Sequence, residues 1–216
     1  YCDRKRKRQW NRRYHGPLAN MQRTNMFSRG RRSRAMRNYC GVTLLEQLFK
    51  VALISTGGTI EKTYDAHEGI LANGTSVLEM MLGSLQLDGI DISHIHLMDK
   101  DSIDMTDEDH ALIAQTVAEC ASSYDGIVVV HGTDTLAITG ERIVDVCKAL
   151  SIPCVITGAM RPWIMRNTDA MQNLVESFSV VKLLEAGVYV AMHNRVLKFP
   201  GVVKDNKNLR FIKKES

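Results

Sequence analysis

The chain has 216 residues, of which 44% are hydrophobic, and this is enough for one ample core in a single main domain. Its charge is unevenly divided. Residues 1–40 hold 13 Lys and Arg against one Asp, and the rest of the chain holds 15 against 23 acidic residues, so the net charges are +12 and −8. No apolar run approaches the length of a membrane span or forms a convincing secretory signal, so we expect neither.

The cysteine pattern points to a reducing compartment. Five cysteines are present, none of them in a C-x-x-C pair, and an odd number in a chain of this size is typical of free thiols. We therefore expect a cytoplasmic protein.

Residues 1–40 form the most unusual part of the sequence. They show no apolar periodicity and carry runs such as R-K-R-K-R at 4–8, which repel one another and cannot bury a core, so a disordered arm is predicted. One interpretation is a nucleic-acid-binding tail in which Trp10 and Tyr14 stack on bases. The other, favoured by the abrupt change of composition near residue 40, is a segment foreign to the domain, because the chain begins with Tyr and later methionines offer natural starts.

The stretch V-A-L-I-S-T-G-G-T-I at 51–60 opens the predicted domain, which extends over residues 48–210. Its four leading apolar residues are too few for a helix but fit a strand buried on both faces. Gly57 and Gly58 then let the backbone turn sharply where a side chain would clash. Small-molecule sites lie at the carboxyl ends of parallel strands, so the hydroxyl of Thr59 is a candidate nucleophile. An ordinary strand-to-helix turn is an equally good interpretation of these ten residues alone.

The elements that follow alternate between helix and strand. A polar loop over 61–74 is long for a compact domain and is typical of a lid over a ligand. Thr75 or Ser76 is expected to cap the next helix, and Thr106 to cap a later one whose first turn is acidic. The predicted elements are helix 76–85, strand 95–98, a helix from Thr106 with Ile113, Val117 and Cys120 buried, strand 127–130, a helix to about 150, strand 154–157, helix 173–185 and strand 188–192. This order predicts an α/β fold with a doubly wound, mostly parallel sheet, right-handed crossovers and helices on both faces.

Four segments bring polar residues to one edge of this predicted sheet. They are Thr59, Asp101-Ser102, Thr133-Asp134 and the turn at Gly158-Ala159. Two threonines near a carboxylate suit acyl transfer, provided that a base removes a hydroxyl proton. Lys204, in F-P-G-V-V-K-D, is the candidate base, since a lysine held out of water can accept a proton. The alternative for Lys204 is a solvated surface residue.

Four motifs together carry a resemblance to a known family. S-T-G-G-T-I at 55–60, D-S-I-D-M-T at 101–106, H-G-T-D-T at 131–135 and T-G-A-M-R-P at 157–162 resemble, in order and spacing, the amino-terminal domain of bacterial-type L-asparaginases. The resemblance covers residues 50–206. It implies an amidohydrolase that converts asparagine to aspartate and ammonia through an acyl-enzyme, without a metal or an organic cofactor.

The resemblance also implies roles for individual residues. Thr59 takes the position of the primary nucleophile. Thr133, Asp134 and Lys204 occupy a second triad, in which the lysine accepts the proton, the threonine positions the attacking group and the aspartate also holds the substrate ammonium. The remaining positions are substrate-binding: Asp101, Ser102 and Ile103 for the α-carboxylate, and Ala159 through its carbonyl for the leaving amide nitrogen. Amides at the glycine turns would stabilise the oxyanion, at about 3 to 4 kcal/mol for a good donor.

Three features depart from the family pattern. The chain ends near the family's inter-domain linker, so the smaller carboxyl-terminal domain, which completes a neighbouring subunit's pocket, is expected to be missing. Ile70 stands near the usual place of the flap tyrosine, so Tyr64 is taken as its substitute. Ile103 replaces a polar residue and removes one possible hydrogen bond to the substrate.

Other constellations are weaker. His94 and His96 would share one face of a strand, a spacing that can chelate a metal, but no further ligand cluster is evident and surface histidines are favoured. His131, beside Thr133, could be taken for a general base, but the resemblance implies that this position supports the loop.

Three hypotheses follow, from different classes. The leading one is a single-domain asparaginase-like amidohydrolase acting on a small amino-acid amide, with a homo-oligomer expected to close the open pocket. The second is a non-catalytic module that binds an amino acid on the same fold. The third is a nucleic-acid-associated protein, which requires that the basic arm be native.

Overall fold

The structure is a computed structural model that describes residues 47–65, 69–73 and 77–214. The predicted basic arm at 1–40 lies outside the described residues, as do the predicted helix caps Thr75 and Ser76. Within the described part of the chain, no helix is long and apolar enough to cross a membrane.

The described residues form ten strands, four α-helices and two short 3₁₀ turns. In chain order the strands and helices are β1 (Phe49–Gly57), β2 (Lys62–Asp65), β3 (Ile70–Asn73), α1 (Val77–Gly83), β4 (Ile90–Lys100), α2 (Asp107–Cys120), β5 (Gly126–Val130), α3 (Leu136–Cys147), β6 (Pro153–Thr157), α4 (Ala170–Val180), β7 (Gly187–Met192), β8 (Arg195–Lys198), β9 (Val202–Asp205) and β10 (Arg210–Lys213). The 3₁₀ turns are Thr59–Glu61, after β1, and Ser102–Asp104, after β4.

The main sheet has six strands in the order β4-β1-β5-β6-β7-β8. The first five are parallel, and β8 is antiparallel to β7. β4 lies on one side of β1, and β5 and the later strands lie on the other. The direction in which strands are added to the sheet therefore reverses between β1 and β5. Ligand sites in open α/β sheets lie at such a point, beyond the carboxyl ends of the strands.

Helices cover both faces of the sheet, as the alternating pattern predicted. One core joins the sheet to α2 and α3 through residues such as Ile113 and Ile143, and the other joins the opposite face to α1 and α4 through residues such as Met81 and Leu174. Because the central strands are buried on both faces, their sequences are continuous apolar runs, which is why the strands were recognisable in the sequence. The predicted fold class is confirmed.

The start of α2 follows the predicted capping. The Thr106 side chain accepts a hydrogen bond from the Asp109 amide, and the Asp109 carboxylate accepts one from the Thr106 amide, which completes a capping box. The predicted stripe of Ile113, Val117 and Cys120 is buried.

Two regions differ from the prediction. The polar loop predicted from residue 61 to residue 74 is wrong for the described residues, because β2 and β3 pair there as an antiparallel hairpin, with Tyr64 opposite Leu71. The two strands have only four residues each, too few to show a clear alternating pattern in the sequence. The hairpin formed by β9 and β10 was not predicted either, and it carries Lys204 opposite Phe211.

Candidate active site

The loops after β1 and β5 are in direct backbone contact at the reversal of strand order. Gly58 has φ +83°, and a Cβ at this position would lie 2.5 Å from Gly132 Cα. The Gly58 amide also donates to the Lys100 carbonyl at 2.9 Å, which ties the turn to the end of β4. Glycine is therefore required at Gly58 both for its backbone conformation and for this close approach.

Ser102 packs between the neighbouring loops. A Cβ at Gly132 would lie 2.5 Å from Ser102 Oγ, and the Asp134 amide donates to that oxygen at 3.2 Å. Thr135 Oγ1 donates to the Ser102 carbonyl at 2.8 Å. Ser102 is fully buried, so it braces the loop after β5, and its predicted contact with a substrate stays a prediction.

Lys204 joins Thr133 and Asp134 into one hydrogen-bonded group, which we call the lysine triad. Lys204 Nζ donates to Thr133 Oγ1 at 2.9 Å and to Asp134 Oδ1 at 2.8 Å. The lysine side chain is only 12% exposed, whereas that of Asp134 is 41% exposed. Lys204 is therefore not the solvated surface lysine of the alternative interpretation, and its amine lies where it can exchange a proton with the Thr133 hydroxyl.

Thr59 begins the 3₁₀ turn that follows the glycine pair. Its side chain is half-buried, and among the described residues none hydrogen-bonds its hydroxyl. The turn is closed by the Glu61 amide, which donates to the Gly58 carbonyl at 3.2 Å. The backbone of residues 57–61 thus presents a hydroxyl that has no hydrogen-bond partner within the described residues.

The other residues predicted to hold the α-carboxylate point elsewhere. The Asp101 carboxylate binds the ammonium of Lys62 and accepts from the Ile103 amide at 3.2 Å. The hydrogen bond from Lys62 holds the pKa of Asp101 below its usual range. Ile103 is 70% exposed, so its side chain offers an aliphatic surface to solvent beside the loop after β4.

The turn after β6 places Ala159 in the interior. Ala159 is buried, and the neighbouring Gly158 carbonyl accepts from the Asn173 side chain at 2.9 Å. Asp169 holds the residues that follow, since its carboxylate accepts from the Met160 amide at 3.0 Å and binds His193, Asn173 and the Arg161 amide. Burial alone would raise the pKa of Asp169, but these donors outweigh it and hold the pKa below its usual value. Sequence reasoning missed this support.

Tyr64 lies on β2 and is 62% exposed. No hydrogen bond to its hydroxyl comes from the part of the chain that the structure describes. Its predicted pairing with Thr59 stays a prediction.

His131 supports the loop after β5 through a buried chain of hydrogen bonds. Its Nδ1 donates to the Gly132 carbonyl at 2.7 Å, and its Nε2 is 2.7 Å from Thr139 Oγ1, which in turn is 2.7 Å from His110 Nδ1. Burial lowers the pKa of His131 to about 4, so the ring is neutral at physiological pH. The structural role expected for His131 agrees with these contacts.

His94 and His96 share one face of β4, as expected. Both rings contact Ser55 Oγ, at 2.8 and 3.2 Å, and His94 is half-buried rather than on the surface. Over residues 47–65, 69–73 and 77–214, no group of His, Cys, Asp or Glu is arranged to hold a metal ion.

Two charged residues at the end of the Thr59 turn were not predicted as part of the site. Glu61 was placed in a polar loop, yet it is buried, and Lys62 forms the ion pair with Asp101. Lysine and glutamate side chains are usually exposed, so the sequence carries no signal for either contact.

Comparison with known proteins was made by sequence and by structure. The family model of the asparaginase N-terminal domain matches residues 50–210. The L-asparaginase of Thermococcus kodakarensis is 33% identical over 150 residues, which cover 68% of this chain and 45% of the relative. Its solved structure superposes with a TM-score of 0.68 and 30% identity, over 76% of this chain and 51% of that one.

Two further proteins are similar. The structure of a probable cytoplasmic L-asparaginase from Campylobacter jejuni gives a TM-score of 0.66 at 31% identity, covering 76% of this chain and 53% of that chain. A component of the glutamyl-tRNA(Gln) amidotransferase from Thermoplasma acidophilum is 27% identical over 144 residues, 67% of this chain and 35% of the relative. The chain thus spans about half the length of the T. kodakarensis relative and about a third of the T. acidophilum one.

Proposed function

Because this chain belongs to the asparaginase family through its N-terminal domain, we propose that it is an amidohydrolase that converts L-asparagine to L-aspartate and ammonia. The observation that carries the proposal is the lysine triad, in which one ammonium bridges a buried threonine hydroxyl and a carboxylate. Thr133 and Asp134 lie on the loop that touches the Thr59 turn, and Lys204 reaches them from β9, so the triad and the Thr59 hydroxyl are assigned to one edge of the sheet.

In the first half of the reaction, Thr59 Oγ1 attacks the side-chain amide carbon. The released proton passes by way of Thr133 to the lysine triad, and a proton returned from the triad to the amide nitrogen lets ammonia leave. The product of this half is an aspartyl ester on Thr59. Backbone amides at the glycine turn are suited to stabilise the oxyanion of the tetrahedral intermediate.

In the second half, water hydrolyses the ester. The same lysine triad takes a proton from the water, and the Thr59 hydroxyl is regenerated when its oxygen leaves as an alcohol. Aspartate and the free enzyme are the products.

The charged and polar groups around Thr59 and the lysine triad are proposed to orient the substrate. The exposed part of the Asp134 carboxylate suits an ammonium. The α-carboxylate is assigned to the segment with Asp101, Ser102 and Ile103 on the family resemblance alone, because Asp101 is paired with Lys62 and Ser102 braces the loop after β5. The Ala159 carbonyl would accept from the amide nitrogen, and Tyr64 would cover the pocket from the β2–β3 hairpin.

The proposal also covers the cofactor requirement, the location and the assembly of the protein. The reaction needs no metal or organic cofactor, because the lysine triad supplies the base. We propose a cytoplasmic location, in line with the C. jejuni relative named as cytoplasmic, and a homo-oligomer whose neighbouring subunit closes the pocket. The catalytic unit is assigned to residues 48–210, with 1–40 as a separate arm that binds nucleic acid only if it is native.

The test is release of ammonia from asparagine and from glutamine by the wild-type chain, with Thr59→Ala and Thr133→Ala as controls. We expect the wild-type rate to exceed both variants by at least about a thousandfold, because each variant removes a group from the reacting set. Equal rates would refute the proposal. Calorimetric binding of aspartate without any turnover would select the binding-module alternative instead.

A further inference from the structure

Glu61 is a buried carboxylate beside the proposed nucleophile that the reaction described above does not use. It is the last residue of the 3₁₀ turn that begins at Thr59, and it is 4% exposed. Its Oε2 atom is buried and has no hydrogen-bond partner among the residues that the structure describes. An ionised carboxylate oxygen in such a place lacks the donors that would replace water.

The lysines near Glu61 in the sequence are paired with other carboxylates, so they do not compensate the charge of an ionised Glu61. Lys62, the next residue, binds Asp101, and the Lys100 ammonium binds the Asp109 carboxylate at 2.6 and 2.8 Å. Asp99, at the end of β4, adds a like charge and is paired with His96 at 3.1 Å.

Burial and the Asp99 charge raise the pKa of Glu61 to about 7, against a smaller opposing effect of the Gly57 amide. A protonated carboxyl suits this environment better than an anion, because it carries one O–H donor and no net charge. Glu61 therefore has two charge states that the cell's pH range can interchange.

The backbone contacts of the turn connect this carboxyl to Thr59. Residues 57 and 58 both have positive φ, and the turn is held by the Gly58–Lys100 and Glu61–Gly58 backbone hydrogen bonds. The Glu61 carboxyl faces the amide of Gly57, where the turn begins. A change of charge at Glu61 thus acts on both ends of the segment that presents the Thr59 hydroxyl.

We propose that Glu61 is a positioning residue for Thr59, whose neutral carboxyl holds the turn of residues 57–61 in the conformation that presents the hydroxyl to the substrate. Ionisation places an unpaired anion beneath the turn and displaces it. The inference rests on the proposed function, since it assigns a consequence to the position of the Thr59 hydroxyl.

The first experiment measures kcat and KM for asparagine from about pH 5 to about pH 9 in wild type, Glu61→Gln and Glu119→Gln. Glutamine imitates the neutral carboxyl, and Glu119 is an exposed glutamate on α2 that controls for the loss of one charge. We expect the wild type and Glu119→Gln to lose kcat, with little change in KM, as the pH rises through about 7, and Glu61→Gln to lack this decline. The same decline in Glu61→Gln would overturn the inference.

The second experiment does not require activity. In wild-type protein with labelled Glu side chains and backbone amides, NMR titration follows the Glu61 carboxyl carbon together with the amides of Gly57 and Thr59. We expect all three to titrate with one midpoint near 7. Amides that do not follow the carboxyl would overturn the inference. A wild type without amidase activity that still shows coupled titration refutes the proposed function but supports the link between Glu61 and the turn.

Discussion

The lysine triad and the Thr59 turn meet at one sheet edge but are built in opposite ways. The triad is held by side chains, since Lys204 on β9 reaches across to Thr133 and Asp134. The Thr59 turn is held by backbone hydrogen bonds and two glycines, and its hydroxyl has no partner within the described residues. In the proposed reaction the base is thus held by hydrogen bonds to side-chain partners, whereas the nucleophile is held by the backbone of its turn.

The largest expected effect comes from disrupting the lysine triad, which is held by side chains. Lys204→Met removes the amine while keeping a long, flexible side chain, so the kcat for ammonia release should fall by about a hundredfold to ten-thousandfold. Lys207→Met, an exposed lysine on the same hairpin, should keep the wild-type kcat. Steady-state assays of both variants check this, and comparable losses in the two would deny Lys204 a special role.

A substitution at Gly58 should disrupt the Thr59 turn, which is held by its backbone. In Gly58→Ala the new Cβ would lie 2.5 Å from Gly132 Cα in a conformation with φ +83° and ψ −175°, so we expect a loss of about 3 kcal/mol in the free energy of unfolding. Gly69→Ala is the matched control, because φ is also positive there but no atom of the described residues, chain neighbours aside, lies within 4 Å of the new Cβ, and about 1 kcal/mol is expected. Urea denaturation measures both, and similar values would mean that the close approach costs little.

The stability of the Thr59 turn should also depend on pH. The pKa of Glu61 is raised from 4.5 to about 7 on folding, so the folded state binds the proton more tightly, and the cost of burying the anion grows as the pH rises from 4.5 to 7. Glu61→Gln should therefore be more stable than wild type by about 3 kcal/mol at alkaline pH, and by little at acid pH. Denaturation at several pH values tests this, and a difference that does not depend on pH would contradict it.

The smallest expected effect concerns the ion pair that ties β2 to the loop after β4. The side chains of Lys62 and Asp101 are 24% and 26% exposed, so their coupling should be worth less than about 1 kcal/mol. The low pKa of Asp101 means that this contribution is present above the unfolded pKa and is lost as the pH falls. A double-mutant cycle with Lys62→Met and Asp101→Asn measures it at neutral and acid pH, and a coupling that survives acidification would contradict the assignment.

The sequence was informative where structure is local. Strands buried on both faces are continuous apolar runs, and the threonines and glycines that follow them mark strand ends, so the sheet and the loops of Thr59 and Thr133 were predictable. Thr106 was likewise predictable as the N-cap of α2.

The rest depends on contacts between distant residues. Lys204 lies 71 residues from Thr133, and only the pairing of β9 with β10 and the resemblance to the asparaginase family locate it. Glu61 is polar and follows a glycine turn, which locally favours a loop, but it is buried in the folded chain. Such burial is a property of the assembled sheet and leaves no mark in neighbouring residues.

The most direct test of the account is to find which threonine carries the acyl group. The wild-type chain is mixed with asparagine, quenched in acid during turnover and mapped by mass spectrometry, with hydroxylamine added in a parallel reaction to intercept the ester. We predict an aspartyl ester on the peptide that contains Thr59 and the formation of aspartyl hydroxamate. An ester on the Thr133 peptide, or ammonia release with neither ester nor hydroxamate, would contradict the account.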